Sequence, residues 1–182
     1  MKAIQLILDE IQDVMMNVNE HSLEKLAVFL ANGKRIFVVG EGRSGLMAKS
    51  FAMRLMHLGA TTFVVGETTT PSIEAEDMLV AVSGSGKTKS VVWTAEKANS
   101  LGCEVVAITT APNSELALHA SFVVNVPAST KYRTSDDVES IQPLGSLFDQ
   151  SVHIILDAVC YLYSKITQAD EDETFRRHSN LE

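Results

Sequence analysis

Apolar residues recur at three-to-four spacing from about Lys2 to Asn17 and again from Ser22 to Asn32, the period of two amphipathic helices. Gly33 is the expected stop of the second. The pattern then changes. Short β-branched runs that are apolar on both faces appear at Arg35–Gly40, Thr61–Gly66, Met78–Val82, Glu104–Thr109 and Phe122–Val126. Helical stretches alternate with them at Leu46–Leu58, Ser90–Leu101 and Ser114–His119, and a long apolar helix is expected over Leu147–Thr167. Strands apolar on both sides and separated by helices predict a parallel sheet covered on both faces. The expected fold is therefore α/β: a doubly wound three-layer αβα sandwich with a five-stranded parallel sheet, flavodoxin-like, preceded by two helices.

At 182 residues the chain suits one domain. Residues 1–33 are its N-terminal helices, 34–167 its α/β core and 168–182 a charged tail expected to be solvated. A polar loop is expected over Pro127–Gly145. No apolar run approaches the roughly 20 residues of a membrane span, and acidic residues interrupt the first 30 positions, unlike a signal peptide. Cys103 and Cys160 alone make neither a disulfide framework nor a metal motif. A cytoplasmic location is the expectation, with both thiols in the core. The net charge of −8 argues against nucleic acid as a partner, which needs a basic face. It does not oppose a small anion, which loop amides and helix N-termini hold whatever the net charge.

In a parallel α/β domain ligands sit at the carboxyl ends of the strands. Two glycine loops fall there. Gly40–Gly45, "GEGRSG", fits G-x-G-x-x-G after a strand, and Glu67 stands near where a ribose-binding acid belongs. Its ordinary structural reading is a tight turn with Ser44 as a helix cap. Ala81–Ser90, "AVSGSGKTKS", comes one residue short of a mononucleotide loop, because alanine stands where that motif begins with glycine. It also follows the third strand, and no second acidic strand is present to hold Mg²⁺. The dinucleotide reading leaves Ser83, Ser85, Thr88 and Ser90 without a role.

Taken together the loops read better as a phosphate cradle. Ser83, Ser85 and Thr88 supply hydroxyls, and Gly84 and Gly86 let backbone amides come close. A terminal phosphate has three oxygens to satisfy, which suits such a cluster at a helix start. Arg43 and Ser44 are candidates for the sugar or for sharing the phosphate. Lys87 contributes at least its amide, and Arg133 in the polar loop is a further candidate phosphate ligand. Each hydroxyl taken singly reads as a cap or turn residue.

The segments Gly40–Gly59, Ser83–Ser90, Gln142–Gln150 and Arg177–Glu182 carry a likeness across nearly the whole chain. They resemble the 6-phospho-3-hexuloisomerase family of the sugar isomerase (SIS) superfamily. The resemblance implies a phosphosugar as the small-molecule partner, a homotetramer, and no metal or nucleotide cofactor. The implied activity is interconversion of D-arabino-3-hexulose 6-phosphate and D-fructose 6-phosphate, the second step of formaldehyde fixation in the ribulose monophosphate pathway. It assigns the serine loop to the substrate phosphate and the carboxylate of "LFDQ" to proton transfer. The family usually has glutamate there. Asp149 is shorter by one methylene, about 1.5 Å, so either the backbone compensates or the rate falls. By pattern alone, Ser146 to Asp149 is a capping-box-like S-x-x-D. The resemblance also implies an ordered tail that brings His178 to an active site, its own or a neighbouring subunit's. The alternatives are another phosphosugar isomerase of the superfamily, a non-catalytic phosphosugar-binding module, and a dinucleotide-binding protein.

Overall fold

In a computed structural model, described over residues 2–32, 35–130 and 140–181, the α/β alternation emerges as expected. The chain order is α1 (Ala3–Met16), α2 (Glu20–Ala31), β1 (Ile36–Gly40), α3 (Gly42–His57), β2 (Thr62–Val64), β3 (Met78–Val82) and α4 (Lys89–Ser100). It continues with β4 (Glu104–Thr109), α5 (Glu115–Leu118), β5 (Phe122–Asn125), α6 (Ser146–Thr167) and α7 (Glu171–Arg176). The five strands form one sheet of order β2-β1-β3-β4-β5, and every pairing is parallel.

Period-two alternation divides the strand residues between two cores. Ile36, Val38, Val80 and Ile108 point toward α1, α2, α3 and α6. Phe37, Val39, Leu79 and Ala107 point toward α4 and α5. Because both faces are covered, the central strands read as unbroken apolar runs. The chain leaves β1 for one face and β3 for the other, so a crevice opens between their carboxyl ends, where the winding reverses.

Two features differ from the sequence reading. α3 begins at Gly42, inside the glycine loop rather than at Leu46. A Cβ on Gly45 would lie 2.6 Å from the Gly40 carbonyl oxygen, so only glycine lets the first turn of α3 sit on the end of β1. The charged tail is not wholly irregular. Asp170 accepts from the Glu173 N–H and caps α7, and Arg177 and His178 then fold back onto the C-terminal end of α3. No helix among the described residues is long and apolar enough to cross a membrane.

Candidate active site

A cavity of about 310 Å³ lies at the crevice between β1 and β3. The loop after β1 contributes Glu41, Arg43 and Ser44, and the loop after β3 contributes Ser83, Gly84, Ser85 and Thr88. Thr130, Leu144, Phe148 and Asp149 close it from the side of α6. Residues from three distant stretches of chain therefore meet in one place.

The loop after β3 is shaped by bonds that turn its carbonyls away from the cavity. The Gly84 carbonyl accepts from the Thr110 N–H at 3.1 Å and from the hydroxyls of Thr109 and Thr110 at 3.0 and 2.9 Å. In a trans peptide the next N–H points the opposite way, so the Ser85 amide faces away from β4. Neither that amide nor the Thr88 N–H donates to an acceptor among the described residues. Gly86 has φ +60, and a Cβ there would lie 2.0 Å from Ser114 Oγ. Thr88 occupies the cap position of α4 without a side-chain cap bond. Its hydroxyl is paired with Ser83 Oγ at 2.9 Å. The hydroxyls thus form a cluster rather than a set of separate caps.

The carboxylate wall also departs from the local pattern. Gly145 caps α6 and no capping box forms. Ser146 Oγ instead accepts from Arg43 Nη1 at 2.7 Å. Asp149, 6% exposed, accepts from Ser44 Oγ at Oδ1, 2.9 Å, and its Oδ2 stands 3.5 Å from Arg43 Nε. Burial pushes its carboxyl above the usual range, while the Ser44 hydrogen bond and the Arg43 charge pull it partly back. Ser44 is not the cap of α3; that position is Glu41.

Of the residues singled out by sequence, Arg43, Ser44, Ser83, Gly84, Ser85, Thr88 and Asp149 line this cavity. Gly86 lies behind it as the buried hinge of the loop, and the Lys87 side chain is exposed outside it. Arg133 lies outside the described residues. His178 is not brought to the cavity of its own chain. Its ring stacks on that of the buried His57, with centroids 5.1 Å apart. His57 ends α3 and Ser44 lies in its first turn, about 20 Å away along the axis. Burial, then the proximity of His178 and Arg54, holds His57 below the ordinary imidazole range.

Sequence reasoning missed Glu41 and Phe148 as cavity residues. Glu41 stood inside a quoted motif, and its Oε1 accepts from Ser90 Oγ at 2.7 Å across the mouth of the crevice. Phe148 adjoins Asp149 but reads as core, which it also is, at 2% exposure. Thr130 and Leu144 carry no local signal, because loop conformation alone brings them here.

This arrangement, a hydroxyl-rich loop and a buried carboxylate at the switch point of a 2-1-3-4-5 parallel sheet, defines an α/β domain with a polar cavity at the carboxyl ends of its strands. Residues 29–154 match the SIS domain family, and the chain belongs to that family. Similarity over nearly the whole length narrows the relationship. The chain is 40% identical to the 3-hexulose-6-phosphate isomerase of Bacillus subtilis (strain 168), over 97% of this chain and 95% of that protein. It is 41% identical to the 3-hexulose-6-phosphate isomerase of Mycobacterium gastri, over 98% and 89% respectively. A crystal structure of a hypothetical protein from Methanococcus jannaschii, from which a 3-hexulose-6-phosphate isomerase function was inferred, superposes with a TM-score of 0.85. That match has 32% identity and covers all of both chains.

Proposed function

We propose that this chain is a phosphosugar isomerase that interconverts D-arabino-3-hexulose 6-phosphate and D-fructose 6-phosphate, within the ribulose monophosphate pathway. The observation that carries the reading is the position of Asp149, a buried carboxylate in the wall of the cavity that the serine-glycine loop also lines. The whole-length similarity to 3-hexulose-6-phosphate isomerases supports the choice of substrate.

The phosphate sits on the loop after β3, against the Ser85 and Thr88 amides, the Ser83, Ser85 and Thr88 hydroxyls and the N-terminus of α4. The sugar then extends toward α6. Moving the carbonyl from C3 to C2 requires a base to remove the C2 proton, an enediol, and return of a proton at C3. Asp149 Oδ2 takes the C2 proton, since Oδ1 is held by Ser44. Burial makes the carboxylate a stronger base than it is in water. The Arg43 guanidinium beside it stabilises negative charge that develops on the enediol oxygens. Phe148 and Leu144 limit water around the intermediate. The same carboxyl group returns its proton to C3 while the hydroxyl proton on O2 passes to O3, so one residue serves both carbon centres. Ser44 acts as a positioning residue for Asp149 as well as a wall of the site. His178 takes part through a neighbouring subunit's cavity, in a homotetramer in the cytoplasm. The apolar side chains exposed on α3, Leu46 and Met53, are consistent with such packing.

A coupled assay supplying D-arabino-3-hexulose 6-phosphate and following fructose 6-phosphate tests the reading, with wild type, Asp149→Ala and Asp149→Glu side by side. Turnover lost in the alanine variant and kept in the glutamate variant supports both isomerase and base. An inactive wild type that fructose 6-phosphate still stabilises against heat points to another phosphosugar, or to binding alone. Light scattering tests the tetramer.

A further inference from the structure

Glu10, on α1, lies far in sequence from every residue of the cavity, yet among the described residues its carboxylate gathers three donors from the segment that leads into α6. Oε2 accepts from Ser140 Oγ at 3.0 Å and from Gln142 Nε2 at 2.9 Å, and Oε1 accepts from the Ile141 N–H at 2.8 Å. Ser140 Oγ also accepts from the Gln142 N–H at 3.0 Å, so the three residues form a closed turn around the carboxylate. Gln142 is buried. α1 itself is anchored, with Ile11 and Val14 in the core it shares with α6.

The next residues form the sugar side of the cavity. Leu144 and Gly145 line it, and Leu144 has φ +55 with its side chain largely exposed. A leucine in the left-handed region is unfavourable and persists only where the flanking chain holds it. On the C-terminal side the hold is the start of α6, where the Pro143 carbonyl accepts from Ser146 N–H and the Gly145 carbonyl from Asp149 N–H. On the N-terminal side, among the described residues, Glu10 supplies it. Asp149 needs no such help, because Leu147, Phe148, Val152 and Ile155 seat α6 in the core.

We propose that Glu10 is a positioning residue for substrate recognition, clamping residues 140–142 so that Leu144 and Gly145 present a fixed wall to the sugar. The proposal rests on the phosphosugar reading above. It separates two parts of the site: the loop after β3 is independent of the clamp, whereas the sugar wall depends on it. Glu10→Ala in the full chain should therefore weaken fructose 6-phosphate binding by about tenfold, the scale of one well-placed contact. Inorganic phosphate should bind as in wild type.

Calorimetric titration of both ligands into wild type, Glu10→Ala and the control Asp9→Ala tests this. Asp9 is exposed and bonded to Gln5 on the same helix, and its variant should match wild type with both ligands. In a Leu144→Gly background the Glu10→Ala effect should vanish, because the wall is already loosened. Should Glu10→Ala fail to fold, Glu10→Gln keeps an acceptor for the Ile141 N–H and should show a smaller loss in the same direction. Unchanged fructose 6-phosphate affinity in the folded variant, or equal loss for both ligands, overturns the clamp. A wild type without turnover that still shows the split between ligands removes the isomerase reading and leaves the clamp standing. A wild type that binds phosphate but not fructose 6-phosphate overturns both.

Discussion

Replacing Gly86 by alanine tests the proposed phosphate loop through its backbone. Two effects add. At φ +60, an alanine pays a left-handed penalty of about 1–2 kcal/mol. The new Cβ would also stand 2.0 Å from Ser114 Oγ and 2.3 Å from Ser114 Cβ, where ordinary contact begins near 3.4 Å. Ser114 has little room to yield, since it is buried and the neighbouring Leu116 N–H is bonded to the Gly86 carbonyl at 2.9 Å. The loop must therefore shift by about 1 Å, and misplacement on that scale can cost about 100-fold in a positioned site. The backbone penalty alone predicts a Tm lower by roughly 2–8 °C for a domain of this size. Differential scanning calorimetry with titration of fructose 6-phosphate reads both quantities. Adding Ser114→Gly removes the two clashing atoms but not the strained φ, so the double variant should regain affinity while its Tm stays low. Wild-type affinity in Gly86→Ala, or no recovery in the double variant, would refute the reasoning.

Three further outcomes follow from the site and the core. Asp149→Asn should lower kcat by roughly 10²–10⁴-fold, the usual worth of a general base, yet raise the Tm at neutral pH. Its native carboxyl is raised above the unfolded one, so the stability it contributes is present below the unfolded value and lost as pH rises through the native value. A lower Tm for the asparagine variant at neutral pH would contradict that sign. Ser44→Ala removes the hydrogen bond that pulls the Asp149 carboxyl down, so the acid limb of kcat/KM should move to higher pH; a stationary limb assigns that limb to another group. Burial pushes the Cys160 thiol up to about 12, and both cysteines are buried, so Ellman's reagent should label neither until the protein unfolds. Rapid labelling of the native protein would place one of them at the surface.

Strand and helix periods are local properties of the chain, and the sheet, its parallel sense and the two covered faces follow from them. The glycine and serine loops were equally legible, because backbone freedom and hydroxyl spacing are written in consecutive residues. The net charge of −8 also came from composition alone. What local pattern misjudged were side chains with two possible partners. Ser44 and the Ser146/Asp149 pair both read as helix caps, yet Ser44 bonds Asp149 and Ser146 bonds Arg43, across about a hundred residues. His178 was expected at an active site, but within its own chain it lies at the far end of α3. Glu10 gave no signal at all, since its donors stand some 130 positions away. Periodicity and loop chemistry depend on near neighbours, so the sequence by itself determined the fold and the serine-glycine loop at the cavity. The pairing of Asp149 with Ser44 and Arg43, and the burial that raises its carboxyl, depend on which distant segments share a cavity, and only the tertiary structure decided them.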